Sequence, residues 1–178
     1  MTTHEPTPQE GELVSSVRRA LEKKMEYWDK FATFKQRGEW VELQFMTEAA
    51  RRQFGICKPW GDSRAYDVGI ENGPTFLRVQ VKSTTYKKGR GYWCGFRPNS
   101  SRNRYTVKQL DLFAAYVIPA NAWYLIPAAL FLGPRHIDGA MLSPIALPLK
   151  GNGFQYEHFR EAWGLLTKNR KQLHGYRS

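Results

Sequence analysis

The stretch 66–83, YDVGIENGPTFLRVQVKS, constrains the fold more tightly than any other part of the chain. Two runs rich in valine, isoleucine, leucine and phenylalanine flank ENGP, whose residues favour a chain reversal, so the segment reads as a β-hairpin. Side chains alternate across a strand. Leu77, Val79 and Val81 therefore share one face, and Arg78, Gln80 and Lys82 share the other. Folding about Asn72 and Gly73 sets Asp67 opposite a residue between 78 and 80. Asp67, Gln80 and Lys82 then converge in one small volume, which makes the polar residues of an otherwise apolar hairpin the first place to look for chemistry.

The elements around this hairpin alternate between helical and extended patterns. Residues 1–10 are polar and proline-bearing and read as a disordered tail. A helical stripe follows from 11 to about 34, a break falls at KQRG, and a second helix is expected from about 39 to 54, stopped by Gly55. GICKP reads as a short strand, WGDSRA as a loop, and YWCGF as a strand entered through the basic turn YKKGRG. FAAYVIP and AWYLIP read as a second hairpin, residues 133–153 as irregular, and YEHFREAWGLL as a last amphipathic helix with Tyr156, Phe159, Trp163 and Leu166 on one face. This order suits an α/β or α+β domain, a mixed sheet flanked by helices, and α/β is the class expected here. The expected organisation is a tail at 1–10, a helical extension at 11–36, a main domain at 37–168 and a basic tail at 169–178.

A chain of 178 residues with 42% hydrophobic content can bury a real core. Its formal net charge of +11 suits a polyanion partner, because lysine and arginine displace counterions from phosphates. Cys57 and Cys94 form no CxxC pair, and four scattered histidines lack zinc-ligand spacing. No apolar run approaches the roughly 20 residues of a membrane span, and no signal-peptide core opens the chain. A cytoplasmic protein that makes no membrane contact is expected.

The second helix adds one more carboxylate. Glu42 lies three and four residues before Phe45 and Met46, on the face aimed at the sheet, where an unpaired charge is costly. Glu39, one turn earlier, is the backup candidate. Glu42, Asp67, Gln80 and the main-chain carbonyl of Val81 form an oxygen set suited to a hard cation such as Mg²⁺, with Mn²⁺ as a substitute. Such an ion activates water and offsets charge on a phosphoryl group, and Lys82 would orient or deprotonate the attacking water. Glu42, Asp67, Gln80 and Lys82 are thus the candidate catalytic residues for phosphodiester hydrolysis. Lys87, Lys88 and Arg90, interleaved with aromatic residues, are candidate DNA contacts, as are Arg97, Arg102 and Arg104. Asp62 reads as a turn residue.

The combination of a helical glutamate with D…QVK resembles the PD-(D/E)XK nuclease superfamily, and more narrowly its group I intron-associated homing endonuclease branch. RGEWVEL is similar to that branch's helical G-x-x-x-E segment, KPWGDSRAYDV to its P-x-G-D-x-x-x-Y-D run and RVQVKS to its lysine strand. The resemblance covers about residues 35–167. It implies a restriction-endonuclease-like core cutting double-stranded DNA with Mg²⁺. Asp67 would be a metal ligand, Lys82 the catalytic lysine and Glu42 the helical carboxylate. It also implies a homo-oligomer, dimer or tetramer, because one small site cuts one strand at a time. Gln80 stands where most of the superfamily has a carboxylate, a departure shared with this branch. The alternatives are a Holliday-junction-resolvase or repair nuclease on the same core, a catalytically inactive nucleic-acid-binding descendant, or a basic interaction module.

Overall fold

Helix α1 spans Phe34–Arg51 in the computed structural model, which describes residues 16, 31, 33–61, 63–98, 104–132, 137–144 and 155–176. The expected tail at 1–10, the body of the expected first helix, Asp62 and Arg102 lie outside the described residues. The chain divides into two compact units, Met1–Arg37 and Gly38–Ser178, and every site residue discussed below belongs to the second.

α1 begins earlier than its sequence pattern suggests and runs straight through KQRG. Thr33 supplies the reason: its Oγ1 accepts a hydrogen bond from the Gln36 amide at 3.1 Å, a side-chain cap that satisfies one of the free donors at a helix start. One interior glycine costs only about 1 kcal/mol, too little to break a capped helix. The helix ends where Gln53 takes a left-handed conformation (φ 66°) and the Phe54 amide bonds back to the Ala49 carbonyl, two residues before the expected stop at Gly55. Val41, Phe45 and Ala49, four residues apart, are buried along one stripe.

Five strands form the main sheet: β1 (Gly55–Cys57), β2 (Val68–Asn72), β3 (Thr75–Thr84), β6 (Leu112–Val117) and β7 (Ala122–Pro127). They lie side by side in the order β1-β2-β3-β6-β7, with β3 and β6 parallel and the other pairs antiparallel. A second sheet holds β4 (Lys87–Lys88), β5 (Gly91–Gly95) and β8 (Gly139–Leu142) in the order β4-β5-β8. This is the mixed α/β architecture expected from the order of elements. β6 and β7 are buried along their whole lengths, as expected of near-continuous apolar strands covered on both faces. On one face, Phe45 of α1 packs on Trp123 (ring centroids 5.6 Å apart) and Trp40 on Tyr116. On the other, Phe113 stacks at 4.5 Å on Phe96, which follows β5.

The β2–β3 hairpin turns one residue later than the sequence suggested. Asn72 pairs with Thr75, so the reversal is centred on Gly73 and Pro74. Gly73 has a φ of 57°, and the ring of Pro74 holds its own φ near −65°, the sign pattern of a type II′ turn. In this register Val68 faces Val79, and continuing it by one residue sets Asp67 opposite Gln80.

YEHFREAWGLL is not an α-helix. It forms two 3₁₀ turns, Glu157–Phe159 and Trp163–Thr167, on either side of an extended Arg160 that bridges Tyr124 of β7. Glu161 explains the break. Its amide bonds to the Trp123 carbonyl, its carboxylate accepts from the Trp123 amide at 2.7 Å and the Trp163 indole at 2.8 Å, and its φ is 50°. These bonds to β7 outweigh the helical hydrogen bonds that the segment forgoes. Tyr156, Phe159, Trp163 and Leu166 are nonetheless all buried. Beyond them, Arg170–His174 forms a second helix, α2, opened by an Asn169–Gln172 capping box and pinned by the buried Leu173.

Asp111, just before β6, ties these parts together. It is fully buried and accepts from the Arg78 amide and guanidinium, from Arg170 Nε at 2.9 Å, and contacts His174 Nε2 at 3.0 Å. Burial alone would raise its pKa, but the bonds from Arg78 and Arg170 outweigh that and hold it below the ordinary carboxylate value.

Candidate active site

Asp67 ends the loop that leads into β2. Its amide donates to the Val79 carbonyl at 3.0 Å, which continues the ladder and fixes its backbone against β3. Its Oδ2 accepts two hydrogen bonds, from Gln80 Nε2 at 2.5 Å and from the Val81 amide at 2.9 Å. The convergence expected from strand alternation is therefore present, with the Asp67 carboxylate lying across the middle of β3.

The electrostatics of this carboxylate are unusual. Burial, followed by the negative charge of nearby Glu42, pushes its pKa up to about 6, against the opposing pull of the Val81 amide and the Lys82 and Lys58 cations. Lys82, on the same face of β3 as Gln80, is also partly buried. Burial lowers its pKa, and the charges of Asp67 and Glu42 oppose that shift. Its Nζ lies 5.6 Å from the centroid of the Tyr105 ring, and the buried Cys94 of β5 is close enough to sense its charge. Burial drives the Cys94 thiol up to about 12, so this neighbour is a neutral wall at ordinary pH.

Glu42 lies at the edge of the buried stripe of α1, with 22% of its side chain exposed, and forms an ion pair with Lys58 in the loop after β1. Glu39, the backup, is exposed. Sequence reasoning missed Lys58 and Tyr105. A lone lysine and a lone tyrosine in loops carry no periodic signal, and only the tertiary fold brings them to Glu42 and Lys82. Of the candidate DNA contacts, Lys87 and Lys88 form β4, Arg90 follows the Gly89 turn, and Arg97 and Arg104 are exposed; Arg97 pairs with Asp138.

Among the described residues, no three histidine, cysteine, aspartate or glutamate side chains cluster as a ready-made metal cage. The oxygens gathered around Asp67 still fit a cation that keeps most of its waters. Both described hydrogen bonds to Asp67 fall on Oδ2, and Gln80 uses its amide nitrogen there, which leaves its Oε1 as the only atom it could offer to a metal. A carboxylate whose pKa is pushed up to about 6 by burial and a second carboxylate marks a site short of positive charge.

The model of the PD-(D/E)XK endonuclease family matches residues 32–137. The chain belongs to the PD-(D/E)XK endonuclease family. Among solved structures it is similar to that of a bacterial homing endonuclease, I-Ssp6803I, with a TM-score of 0.64 and 25% sequence identity over 76% of this chain and 93% of that one. No curated protein sequence matches it. The matched span of this PD-(D/E)XK chain begins at α1 and ends just before β8, so it contains Glu42, Lys58, Asp67, Gln80, Lys82 and Tyr105. It is a nuclease by family, and no helix among the described residues is long and apolar enough to cross a membrane.

Proposed function

We propose that the chain is a metal-dependent endodeoxyribonuclease that hydrolyses phosphodiester bonds in duplex DNA, in the manner of a homing endonuclease. The observation that carries this reading is the double hydrogen bond of Gln80 and Val81 to one oxygen of Asp67, with Lys82 on the same face of β3. Asp67, the Val81 carbonyl, Glu42 and Gln80 Oε1 are the atoms that would hold Mg²⁺, or Mn²⁺ in its place. When bound, the ion lowers the pKa of a water and offsets the charge that builds on the phosphoryl group.

The chain's own residues supply the rest. Gln80 and the Val81 amide fix the rotation of the Asp67 carboxylate, so its free oxygen keeps one direction. Lys82 is half-buried beside the Tyr105 ring, and burial lowers the cost of its giving up a proton. It therefore orients the attacking water, accepts its proton, or pairs with the developing phosphoryl charge. Glu42, paired with Lys58 in the metal-free protein, would offer its carboxylate to the cation instead. A duplex has two strands and the described residues of each chain hold one such cluster, so cutting both strands calls for a homo-oligomer, a dimer or tetramer.

The test is to incubate the protein with a fragmented library of its source genome in Mg²⁺ and sequence the new ends. Recurrent ends at one or a few sites are expected of a homing-type enzyme. Cuts at branched junctions alone would favour a resolvase, and DNA binding without any new ends would favour an inactive descendant.

A further inference from the structure

Beside the candidate site lies an open cleft of about 440 Å³ whose lining includes Ser63, Arg64, Tyr66, Arg78, Lys108 and Gln109. Among the described residues its lining carries three cations and no carboxylate. Arg64 and Lys108 are exposed, and among the described residues neither has an acidic partner. Arg78 is the anchor: its guanidinium is clamped by Asp111 and donates to the Lys108 carbonyl, which holds the turn carrying Lys108 and Gln109 against β3. The Gln109 carbonyl is occupied by the Thr106 amide and hydroxyl, both at 3.0 Å, so its free hydrogen-bonding atoms are the amide donors. The Ser63 hydroxyl and the Tyr66 phenol add further donors to the same wall. A rim of cations and donors around an open cleft is suited to a phosphate oxygen.

We propose that this cleft holds a phosphate of the DNA strand that flanks the phosphate cut at Asp67 and Lys82. The inference rests on the nuclease reading above and adds to it a backbone-positioning subsite. Its place follows from strand geometry. Tyr66, in the cleft wall, directly precedes Asp67, while Arg78, Gln80 and Lys82 step along one face of β3 by about 7 Å per two residues. The cleft therefore lies roughly 7–13 Å from the cut, within reach of a neighbouring phosphate of the same strand. Contacts of this kind fix register without reading sequence.

The test measures binding of a random-sequence 30-bp duplex by fluorescence anisotropy in EDTA, across about 50 to 200 mM KCl. Arg64→Ala and Lys108→Ala each lower the slope of log affinity against log salt by about 1, and the double variant lowers it by about 2. Arg64→Lys with Lys108→Arg keeps the wild-type slope, which separates charge from folding; Arg78 is left alone because it also braces Asp111. An unchanged slope in the double variant overturns the proposal. So does an unchanged slope accompanied by lost binding of inorganic phosphate, which would assign the cleft to a free anion. The readout is separate from catalysis. Failure of the wild type to cut plasmid DNA in Mg²⁺ would strike the nuclease reading, whereas an unchanged slope in a cutting enzyme would strike the cleft alone.

Discussion

Replacing Asp67 by asparagine separates the electrostatic cost of this carboxylate from its hydrogen bonds. In the Asp67→Asn variant the side-chain amide oxygen can still accept from Gln80 Nε2 and the Val81 amide, so the ladder next to β3 survives while the charge is lost. The rise from the ordinary 3.8 to about 6 corresponds to about 3 kcal/mol of strain on the ionised form, at 1.36 kcal/mol per tenfold change in proton affinity. The native state of the metal-free protein binds this proton more tightly than the unfolded chain does. Its contribution to stability is thus complete below about pH 4 and is lost as pH rises through about 6. At pH 7.5 in EDTA the Asp67→Asn variant is therefore expected to be more stable than the wild type by roughly 1–3 kcal/mol. For a chain of this size that is about 3–10 °C in Tm. The gap should close at pH 4. Adding Mg²⁺ should raise the wild-type Tm and leave the variant unmoved, because ligand binding stabilises only the state that binds. Differential scanning fluorimetry over a pH series with EDTA and Mg²⁺ arms measures all three. A variant no more stable than wild type at pH 7.5, or a gap that is the same at pH 4, would refute the reasoning.

Three further outcomes follow from the same geometry. Lys82→Ala is expected to slow single-turnover DNA cleavage by roughly 10²–10⁴-fold while leaving duplex affinity within a few-fold of wild type, as read by quench-flow and anisotropy. Asp111→Ala leaves the half-buried Arg78 guanidinium and Arg170 without their carboxylate and should cost about 2–4 kcal/mol in urea denaturation. Because the Asp111 pKa is held low, its contribution in the wild type should be present above about pH 4 and be lost as pH falls below that. Gly139→Ala would drive a Cβ to within 2.4 Å of the Cys94 carbonyl and 2.8 Å of the Trp93 ring, prying β8 from β5. A loss of at least 1–3 kcal/mol is expected in the same assay, and with it a loosening of the wall beside Lys82.

How far the site could be read from sequence depended on whether its parts were local. Asp67, Gln80 and Lys82 were legible because strand alternation and a single tight turn fix their relation within 16 residues, and a one-residue error in the turn still left Asp67 opposite the right stretch of β3. Glu42 was legible as a carboxylate beside the apolar stripe of α1, but its partner Lys58 lies 16 residues away across a strand and loop, beyond any periodic pattern. The cleft residues Arg64 and Lys108 are further apart still. They meet only because β3 and β6 pair in parallel and Arg78 bonds to Asp111 at the start of β6.

The fold was misread where two structures bury the same side chains. Buried aromatic and leucine side chains three and four apart from Tyr156 to Leu166 fit an α-helix and equally fit two 3₁₀ turns, and the bonds of Glu161 to β7 decided between them. β8 was overlooked because GAML is short and lies in a segment rich in glycine and proline. The glycine there is what lets its backbone approach β5. At α1 the glycine in KQRG looked like a break, but the Thr33 cap and a long run of helix formers outweighed it.

The central claim is that the Asp67 cluster is a metal-dependent phosphodiesterase. Conversion of supercoiled plasmid to nicked and linear forms tests it most directly, with wild type, Asp67→Ala and Lys82→Ala each assayed in Mg²⁺, Mn²⁺ and EDTA. Cutting by the wild type in either metal is expected, with none in EDTA, none by Asp67→Ala, and only strongly slowed cutting by Lys82→Ala. Equal cutting by all three proteins, or wild-type cutting that persists in EDTA, would contradict it.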